Sequence, residues 1–336
     1  MRDPEFWWTE RSLYAALLKP AGWAYGAIAA SRLKRKGERA GVPVICVGNL
    51  TLGGAGKTPT ALAIAALLAD LDIQPFFLSR GYGGILAGPV RVDPSKHRAA
   101  DVGDEPLLLA RRAPTIVSHD RVAGARLAVA EGAQAIIMDD GLQNPSLAKD
   151  FSIAVVDARR GIGNAQVFPA GPLRAPLSAQ LERLDAVLVV GERLHRADSI
   201  AEEARARRIP LFQAQLRLDP ASLKAIGRKK VLAFAGIGDP EKFFSALAAA
   251  GIEAAIEESF PDHHFYSDGD AERLMARADE RGLGIVTTEK DFVRLGGDGA
   301  LKKLAARARA LPARLVFQDE AAIRKALGWL REKAPR

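Results

Sequence analysis

The chain is poor in the residues that define several protein classes. Its 336 residues include one cysteine, Cys46, so an internal disulfide framework is impossible and a reducing compartment is expected. No cluster of cysteine and histidine has the spacing of a zinc site. Aromatic residues make up 6% of the chain, and no nucleic-acid-binding motif is present. The sequence therefore predicts neither a disulfide scaffold nor a zinc protein, and no nucleic-acid partner.

Acidic residues are fewer than basic ones, which gives a net charge of +8 and a pI of about 9.7. This excess of positive charge predicts an anionic partner. Because no nucleic-acid motif is present, a membrane surface or a phosphorylated substrate is favoured. The length suits two domains at ~150 residues each, and 48% hydrophobic residues are enough for a buried core.

Long apolar runs are scarce as well, with one exception near the N-terminus. Residues 13–30 are apolar apart from Lys19, but Lys19-Pro20 interrupts the run, which is marginal against the ~20 residues of a membrane span. The basic residues follow the run, so a secretory signal peptide is disfavoured. If the run did span, its basic flank would place the main body in the cytoplasm. The aromatic and basic residues instead predict an interfacial or shallowly inserted helix on an anionic membrane: Phe6, Trp7, Trp8, Trp23, Tyr25, Arg32, Lys34, Arg35, Lys36 and Arg39. The alternative is an amphipathic helix packed on the body of the protein.

A glycine-rich segment, VGNLTLGGAGKT, is the strongest signal for function. It lies between an apolar run at 42–47, predicted as a strand, and a predicted helix at 59–71, which is the arrangement of a P-loop. Backbone N–H groups of such a loop bind phosphate, and we expect these residues to bind ATP: Thr51, Leu52, Gly53, Gly54, Ala55, Gly56, Lys57 and Thr58. Lys57 would contact the β- and γ-phosphates, and the Thr58 hydroxyl would hold Mg²⁺. Thr51 departs from the usual first glycine, and Leu52 excludes the subclass with a second lysine at that position.

Two aspartates, Asp139 and Asp140, follow the apolar strand 135–138. P-loop enzymes place an acidic residue at such a strand end to hold Mg²⁺ directly or through water, so the pair is predicted to bind the metal. Without the P-loop, the same residues would indicate only a polar loop leaving the strand.

Other polar segments lie in loops next to predicted strands, where ligands bind in open α/β sheets. Candidate residues in these segments are Arg80, Tyr82, Asp104, Asn164, Arg174 and His263. Alternatives remain for two of them: Asp104 could be a helix N-cap, and His263 could be an ordinary surface residue. The alternation of short apolar strands with helices predicts an α/β fold with a largely parallel sheet covered on both faces.

Taken in order, seven motifs resemble those of the tetraacyldisaccharide 4′-kinase family: VGNLTLGGAGKTPT, SRGYGG, VGDEP, MDDGLQ, PAGPLR, FPDHH and TTEKD. The resemblance implies a membrane-associated enzyme that transfers the γ-phosphate of ATP to the 4′-hydroxyl of a tetraacylated glucosamine disaccharide 1-phosphate. Its product is lipid IVA, in lipid A biosynthesis at the cytoplasmic face of the bacterial inner membrane. The resemblance also implies a P-loop NTPase-like domain and a smaller α/β domain, joined by a two-stranded β-ribbon and closing over ATP.

The resemblance also implies roles for individual residues. Asp104 matches the proposed catalytic base and His263 the histidine that partners it, while Asp139 and Asp140 match the metal-binding pair. Thr51 is normal for this family. Arg174 matches a basic residue in the active-site cleft, and an acidic residue is expected after it, where this chain has Ala175.

The predicted organisation has five segments. They are a membrane-associated helix with its basic flank (1–40), a P-loop domain (41–210), a hinge ribbon (211–218 with 314–318), a smaller α/β domain (222–312) and a C-terminal helix (319–336). Two other functions fit the same P-loop. One is a membrane-associated ATPase switch acting on a protein partner, and the other is a soluble small-molecule kinase whose N-terminal helix packs on its body.

Overall fold

A nine-stranded sheet forms the centre of the larger unit. The structure, a computed structural model, describes residues 3–9, 11–192, 195–227 and 229–334. The strands of this sheet are β1 (Val44–Gly48), β2 (Pro75–Ser79), β3 (Val90–Arg91), β4 (Thr115–Val117), β5 (Ala135–Asp139), β6 (Phe151–Asp157), β7 (Ala186–Val190), β8 (Leu211–Leu218) and β13 (Ala313–Phe317). They are ordered β13-β8-β7-β6-β1-β5-β2-β4-β3. All neighbours are parallel except β13 with β8 and β3 with β4, so the predicted α/β fold with a mostly parallel sheet is confirmed.

Both faces of the large sheet are buried, because successive strand residues alternate between two hydrophobic clusters. Val44 and Cys46 of β1 belong to one cluster, and Ile45 and Val47 belong to the other. The helices of this unit are α2 (Lys57–Ala69), α3 (Ala99–Val102), α4 (Asp104–Ala110), α5 (Arg121–Ala130), α6 (Leu177–Leu181), α7 (Asp198–Ala206), α13 (Glu320–Leu327) and α14 (Leu330–Lys333). This two-sided coverage explains why the strands are continuously apolar.

A second, four-stranded parallel sheet forms the smaller unit. Its strands are β9 (Val231–Ala235), β10 (Ala254–Ser259), β11 (Gly284–Thr288) and β12 (Ala308–Leu311), in the order β10-β9-β11-β12. Its helices are α8 (Pro220–Ile226), α9 (Pro240–Ala249), α10 (Asp268–Glu280), α11 (Glu289–Arg294) and α12 (Gly299–Arg307). The chain enters this unit after β8 and leaves it before β13, and these two strands pair antiparallel along 214–218 and 313–317.

Strand order brings distant segments to one edge of the large sheet. β5 lies between β1 and β2, and all three run in the same direction. Their carboxyl ends carry the P-loop, the aspartate pair and the loop that starts at Arg80. In open parallel sheets this edge is where ligands bind.

The N-terminal segment forms a short 3₁₀ turn (Glu5–Trp8) and then α1 (Leu13–Leu33). Lys19-Pro20 interrupts the apolar run but does not end the helix, since α1 continues through Pro20. Proline has no N–H to donate to the carbonyl four residues earlier, but α1 spans 21 residues and tolerates this one loss. Within the described ranges, no helix combines the length and hydropathy needed to cross a membrane.

Helix boundaries also differ from the sequence predictions in two places. The P-loop helix begins at Lys57 rather than at 59, because its N-cap Gly56 takes a left-handed conformation with φ of 93°. The predicted helix over 319–336 is two short helices, α13 and α14, separated by Gly328 and Trp329. Glycine is a poor helix former, which explains the break. Predicted segments 1–40 and 319–336 include positions 1, 2, 10, 335 and 336, which lie outside the described residues.

Candidate active site

The P-loop is fixed by hydrogen bonds from both sides. Gly53 and Gly56 each have a φ of 93°, a left-handed conformation that glycine adopts without a Cβ clash. The Asn49 amide donates to the carbonyl of Gly53 at 3.0 Å. The Leu52 N–H donates to the carbonyl of Pro172 at 2.8 Å, and the Arg174 N–H donates to the carbonyl of Leu50 at 2.9 Å. The loop is therefore tied to the PAGPLR segment, 120 residues later in the chain.

Asp139 lies against Thr58 in the arrangement expected of a cation site. The Thr58 hydroxyl donates to Asp139 Oδ2 at 3.4 Å, and both side chains are buried. Asp139 Oδ1 is buried without a hydrogen-bond partner among the described residues. Burial, and next the charge of Glu105, raise the pKa of Asp139 to about 7. A buried carboxylate oxygen without a partner fits a bound cation.

Asp140 is engaged differently from its neighbour. Lys57 Nζ lies 3.6 Å from Asp140 Oδ2. Arg174 donates to both carboxylate oxygens, from Nη1 to Oδ1 at 2.7 Å and from Nη2 to Oδ2 at 3.2 Å. Burial opposes ionisation of Asp140, but the charges of Lys57 and Arg174 outweigh it and lower the pKa. The two predicted metal ligands thus have different surroundings: Asp139 has an oxygen without a partner, and Asp140 neutralises two cations.

The fit of Mg²⁺ to this site depends on oxygen ligands beyond the protein. Among the described residues, no group of three or more histidine, cysteine, aspartate or glutamate side chains is placed to hold a metal. Mg²⁺ is commonly held by one or two carboxylates together with substrate phosphates and water. Thr58 and Asp139 next to a phosphate-binding loop match that requirement.

Asp104 and His263 meet across the two units. Asp104 is the first residue of α4, is 4% exposed, and its Oδ2 lies 3.2 Å from His263 Nδ1. Burial acts to raise the pKa of Asp104, but the hydrogen bond with His263 and the charges of Arg294 and Lys290 lower it overall. The same hydrogen bond raises the pKa of His263, against the effect of its burial. The N-cap of α4 is Gly103, so Asp104 does not have the capping role that was the alternative.

The predicted substrate residues lie in different places. Tyr82 is 71% exposed, and its ring centroid is 5.5 Å from that of His263. Arg80 is exposed in the same loop. The Asn164 amide donates to the carbonyls of Phe6 and Ala170. Arg174 also donates from Nε to the carbonyl of Thr51 at 2.9 Å.

Ala175 occupies a position that would not suit a carboxylate in this chain. Its side chain is fully buried, and its carbonyl accepts a hydrogen bond from Gln180 Nε2 at 2.7 Å. The Gln180 amide also donates to the carbonyl of Leu50 and accepts from Gln143. A buried amide network therefore replaces the acidic residue that the family resemblance leads us to expect.

Sequence reasoning missed a set of charged residues on α11. Arg294 contacts Asp104, and Lys290 forms an ion pair with Glu105 at 2.5 Å. Both residues lie in or just after the TTEKD motif, which ends a strand of the smaller sheet. That position was a signal for a ligand-binding edge, but the identity of the partners depended on how α11 packs against α4.

Comparisons with known proteins match nearly the whole chain. The family model described as LpxK, tetraacyldisaccharide-1-P 4′-kinase, matches residues 14–330. A tetraacyldisaccharide 4′-kinase of Rhodopseudomonas palustris (strain BisA53) is 55% identical over 97% of this chain and 94% of its own length. One from Methylobacterium nodulans is 57% identical over 95% of this chain and 93% of its own length.

A solved structure has the same fold. It is the "apo" form of LpxK from Aquifex aeolicus in complex with ATP, with a TM-score of 0.72 and 27% identity. The match covers 94% of this chain and 99% of that one. The resemblance predicted from seven short motifs is thus confirmed by the family model, by full-length relatives and by the fold. The chain belongs to the tetraacyldisaccharide 4′-kinase family.

Proposed function

We propose that this chain transfers the γ-phosphate of ATP to the 4′-hydroxyl of a tetraacylated glucosamine disaccharide 1-phosphate, which forms lipid IVA. The 4′-oxygen forms a bond to the γ-phosphorus, and the bond from that phosphorus to the β–γ bridging oxygen breaks to release ADP. The hydroxyl proton passes to a base on the protein. This reaction is the 4′-phosphorylation step of lipid A biosynthesis.

One observation carries the proposal: a P-loop and a carboxylate–histidine pair lie together in a chain that matches the family from residue 14 to residue 330. A P-loop alone would fit many ATPases. An Asp104 carboxylate within reach of a histidine adds the proton acceptor that a sugar hydroxyl requires when it attacks phosphorus.

The residues divide the chemistry between them. Lys57 and backbone N–H groups of residues 53–58 bind the phosphates and offset charge that develops in the transition state, whereas the Leu52 N–H is already bonded to the Pro172 carbonyl. Thr58 and Asp139 would hold Mg²⁺, which neutralises phosphate charge when it is bound. Asp104 accepts the hydroxyl proton, and His263 holds this carboxylate in place.

The N-terminal helix supplies the membrane contact in this proposal. One face of α1 packs on the body, where Gly22 and Gly26 lie close to Val167 and Pro176. The other face is apolar and exposed, with Leu13, Tyr14, Leu17, Trp23 and Ile28 between 59% and 75% exposed. An exposed apolar face next to basic residues matches an interfacial anchor on anionic lipid. We place the enzyme at the cytoplasmic face of the bacterial inner membrane, where acyl chains stay in the bilayer during phosphorylation.

The test is thin-layer analysis of lipid after incubation of the protein with γ-labelled ATP, Mg²⁺ and the acylated disaccharide 1-phosphate. We expect label in one lipid product that carries a new monophosphate at the 4′-position. Folded Lys57→Ala protein is the control and should give no labelled lipid. Release of labelled phosphate without a lipid product, stimulated by a protein partner, would instead establish the ATPase switch. Label on a soluble acceptor alone would establish a small-molecule kinase.

A further inference from the structure

We propose that Arg294 is a positioning residue for Asp104, which it holds in the orientation needed to accept the proton. This inference rests on the proposed function, because it assigns Asp104 as the base. Arg294 is the last residue of α11 in the smaller unit, while Asp104 begins α4 in the larger one. The two residues are 190 positions apart in the chain.

The contact between them is buried and directional. Arg294 donates from Nε to Asp104 Oδ2 at 2.9 Å, and its Nη2 donates to the same oxygen. The Arg294 side chain is 3% exposed, and that of Asp104 is 4% exposed. A guanidinium has a fixed planar arrangement of donors, so two hydrogen bonds from one edge restrict the carboxylate more than a single point charge would.

Asp291 holds the Arg294 guanidinium through Nη1, the nitrogen that does not contact Asp104. The Arg294 Nη1 group donates to Asp291 Oδ1 at 3.0 Å and to the carbonyl of Gly236 at 2.6 Å. Asp291 is fully buried and also accepts from the Tyr266 hydroxyl at 2.8 Å and the Gly236 N–H at 3.0 Å. The guanidinium therefore has one defined orientation, and a rigid support of this kind is what a positioned base requires.

The two carboxylate oxygens of Asp104 have different hydrogen-bond partners. Oδ2 receives both donors of Arg294 and lies 3.2 Å from His263 Nδ1. Oδ1 accepts one hydrogen bond, from the Glu105 N–H at 2.9 Å. A carboxylate oxygen has two lone-pair positions, so Oδ1 keeps one for the substrate hydroxyl. Arg294 thus decides which oxygen is available for chemistry.

The charged groups around Asp104 come from three elements. Arg294 and Lys290 approach from α11, His263 from the loop after β10, and Glu105 follows on α4 itself. Burial of Asp104 acts to raise its pKa, and the positive groups reverse that effect. Without Arg294, burial would have less opposition, and the carboxyl group would be protonated at a higher pH.

Among the described residues, two other ion pairs join α4, or the turn just after it, to α11 and do not touch Asp104. Lys290 pairs with Glu105, and Arg112 pairs with Glu289 at 3.4 Å. If Arg294 only linked the two units, removal of the Arg112 pair should produce a similar effect on turnover. The Arg112→Met variant is therefore the matched control, because it removes an ion pair of the same interface, at an exposed residue just after α4.

The experiment compares wild type with Arg294→Met, Arg294→Lys and Arg112→Met, using kcat and KM for ATP and for lipid acceptor at neutral pH. We expect Arg294→Met to lower kcat about 100-fold, the size of a general-base contribution, with KM for ATP changed less than about threefold. This difference between kcat and KM separates a positioning role from a merely structural one. Arg294→Lys should recover part of the loss because it restores the charge without the planar fork. Arg112→Met should leave kcat unchanged.

Each result has a defined meaning. A rise in KM for ATP as large as the fall in kcat, or an equal fall in kcat in Arg112→Met, would overturn the proposal and leave Arg294 as a structural link. If Arg294→Met does not fold, as judged by circular dichroism, Arg294→Lys gives the answer, because wild-type kcat in this variant would refute a requirement for the fork. Failure of the proposed function is seen separately, since wild type would then form no labelled lipid.

Discussion

At the scale of single residues, two members of the candidate site have an unusual backbone. Asp140 and His263 have φ values of 55° and 56°, in the left-handed region that few residues other than glycine adopt. Such a conformation costs on the order of 1 kcal/mol or more and persists only where surrounding contacts enforce it. At Asp140 these contacts come from Lys57 and Arg174, and at His263 from Asp104. The strain therefore marks positions where side-chain direction is fixed.

The first prediction concerns Lys57. We expect Lys57→Ala to lower kcat by roughly 1000-fold, since the lysine offsets charge that develops during phosphoryl transfer. The fold should survive, because the one ion pair of Lys57 within the described part of the chain is at 3.6 Å, with a partly exposed Asp140. Steady-state kinetics and a thermal melt give the two quantities. Kinase activity close to wild type in the folded variant would contradict the role of the loop.

The second prediction concerns the Asp104–His263 pair. If His263 acts through Asp104, the double variant Asp104→Ala/His263→Ala should lose little more kcat than Asp104→Ala alone. Binding of ATP should change less than kcat, because proton transfer matters in the transition state. A double-mutant cycle at saturating ATP and lipid acceptor measures the coupling. Losses that simply multiply would show independent roles and would leave His263 as a contact to the substrate head group.

At the scale of elements, α1 has one face packed on the body of the protein and one exposed face. The inner face of α1 lies so close to the body of the protein that a Cβ at Gly22 would be 2.9 Å from the carbonyl oxygen of Val167. Trp7, from the preceding 3₁₀ turn, donates to the carbonyl of Pro169 at 3.0 Å. The same segment, 164–174, is hydrogen-bonded to the P-loop. Segment 164–174 therefore contacts both α1 and the P-loop.

The third prediction tests the outer face of α1. We expect wild type to float with anionic lipid vesicles, and Leu17→Asp/Trp23→Asp to stay with the unbound protein, because two exposed apolar anchors become charged. Deletion of residues 1–36 should have the same effect. The Leu17→Asp/Trp23→Asp variant is the more specific test, because the deletion would also expose the segment on which α1 packs. Val316→Asp, on the exposed part of strand β13, is the matched control and should float normally. Flotation of the double variant to the wild-type extent would place the anchor elsewhere.

At the scale of the whole molecule, contacts between charged side chains link the two units, in addition to the β8–β13 pair. The Asp104–His263 contact and the Asp104–Arg294 ion pair both cross from one unit to the other. Since histidine titrates near neutral pH, part of this link depends on pH.

The fourth prediction concerns that dependence. The pKa of His263 is raised by Asp104, so its contribution to folding stability is complete below about pH 6.5 and is lost as pH rises through the higher folded value. His263→Asn should therefore lower Tm more at pH 5.5 than at pH 9, and asparagine is chosen because it tolerates a positive φ. Thermal melts at both pH values provide the measurement. An equal Tm difference at both would show that no charged pair forms. The same melts on His264→Asn provide the comparison, because His264 pairs with Asp270 inside the smaller unit and not across the two units.

The sequence alone determined those features that depend on neighbours along the chain. The glycines of the P-loop, the apolar strands with polar ends and the basic flank of α1 are local patterns, and local backbone preference and hydrophobic periodicity follow from them. The seven motifs were enough to predict the family, the α/β class and the reaction. The sequence placed two helix boundaries inexactly, since the P-loop helix begins at Lys57 rather than at 59 and the predicted helix over 319–336 is two short helices.

Only the tertiary structure decided which charges meet. Asp139 and Asp140 look alike in sequence, yet Asp139 keeps a buried oxygen without a described partner, while Asp140 is held by Lys57 and Arg174. The sequence did not predict the contact of Arg294 with Asp104, because the two residues are 190 positions apart and meet only where α11 packs on α4. Ion pairing depends on distance and burial in three dimensions, and these are set by the packing of whole elements rather than by the order of residues.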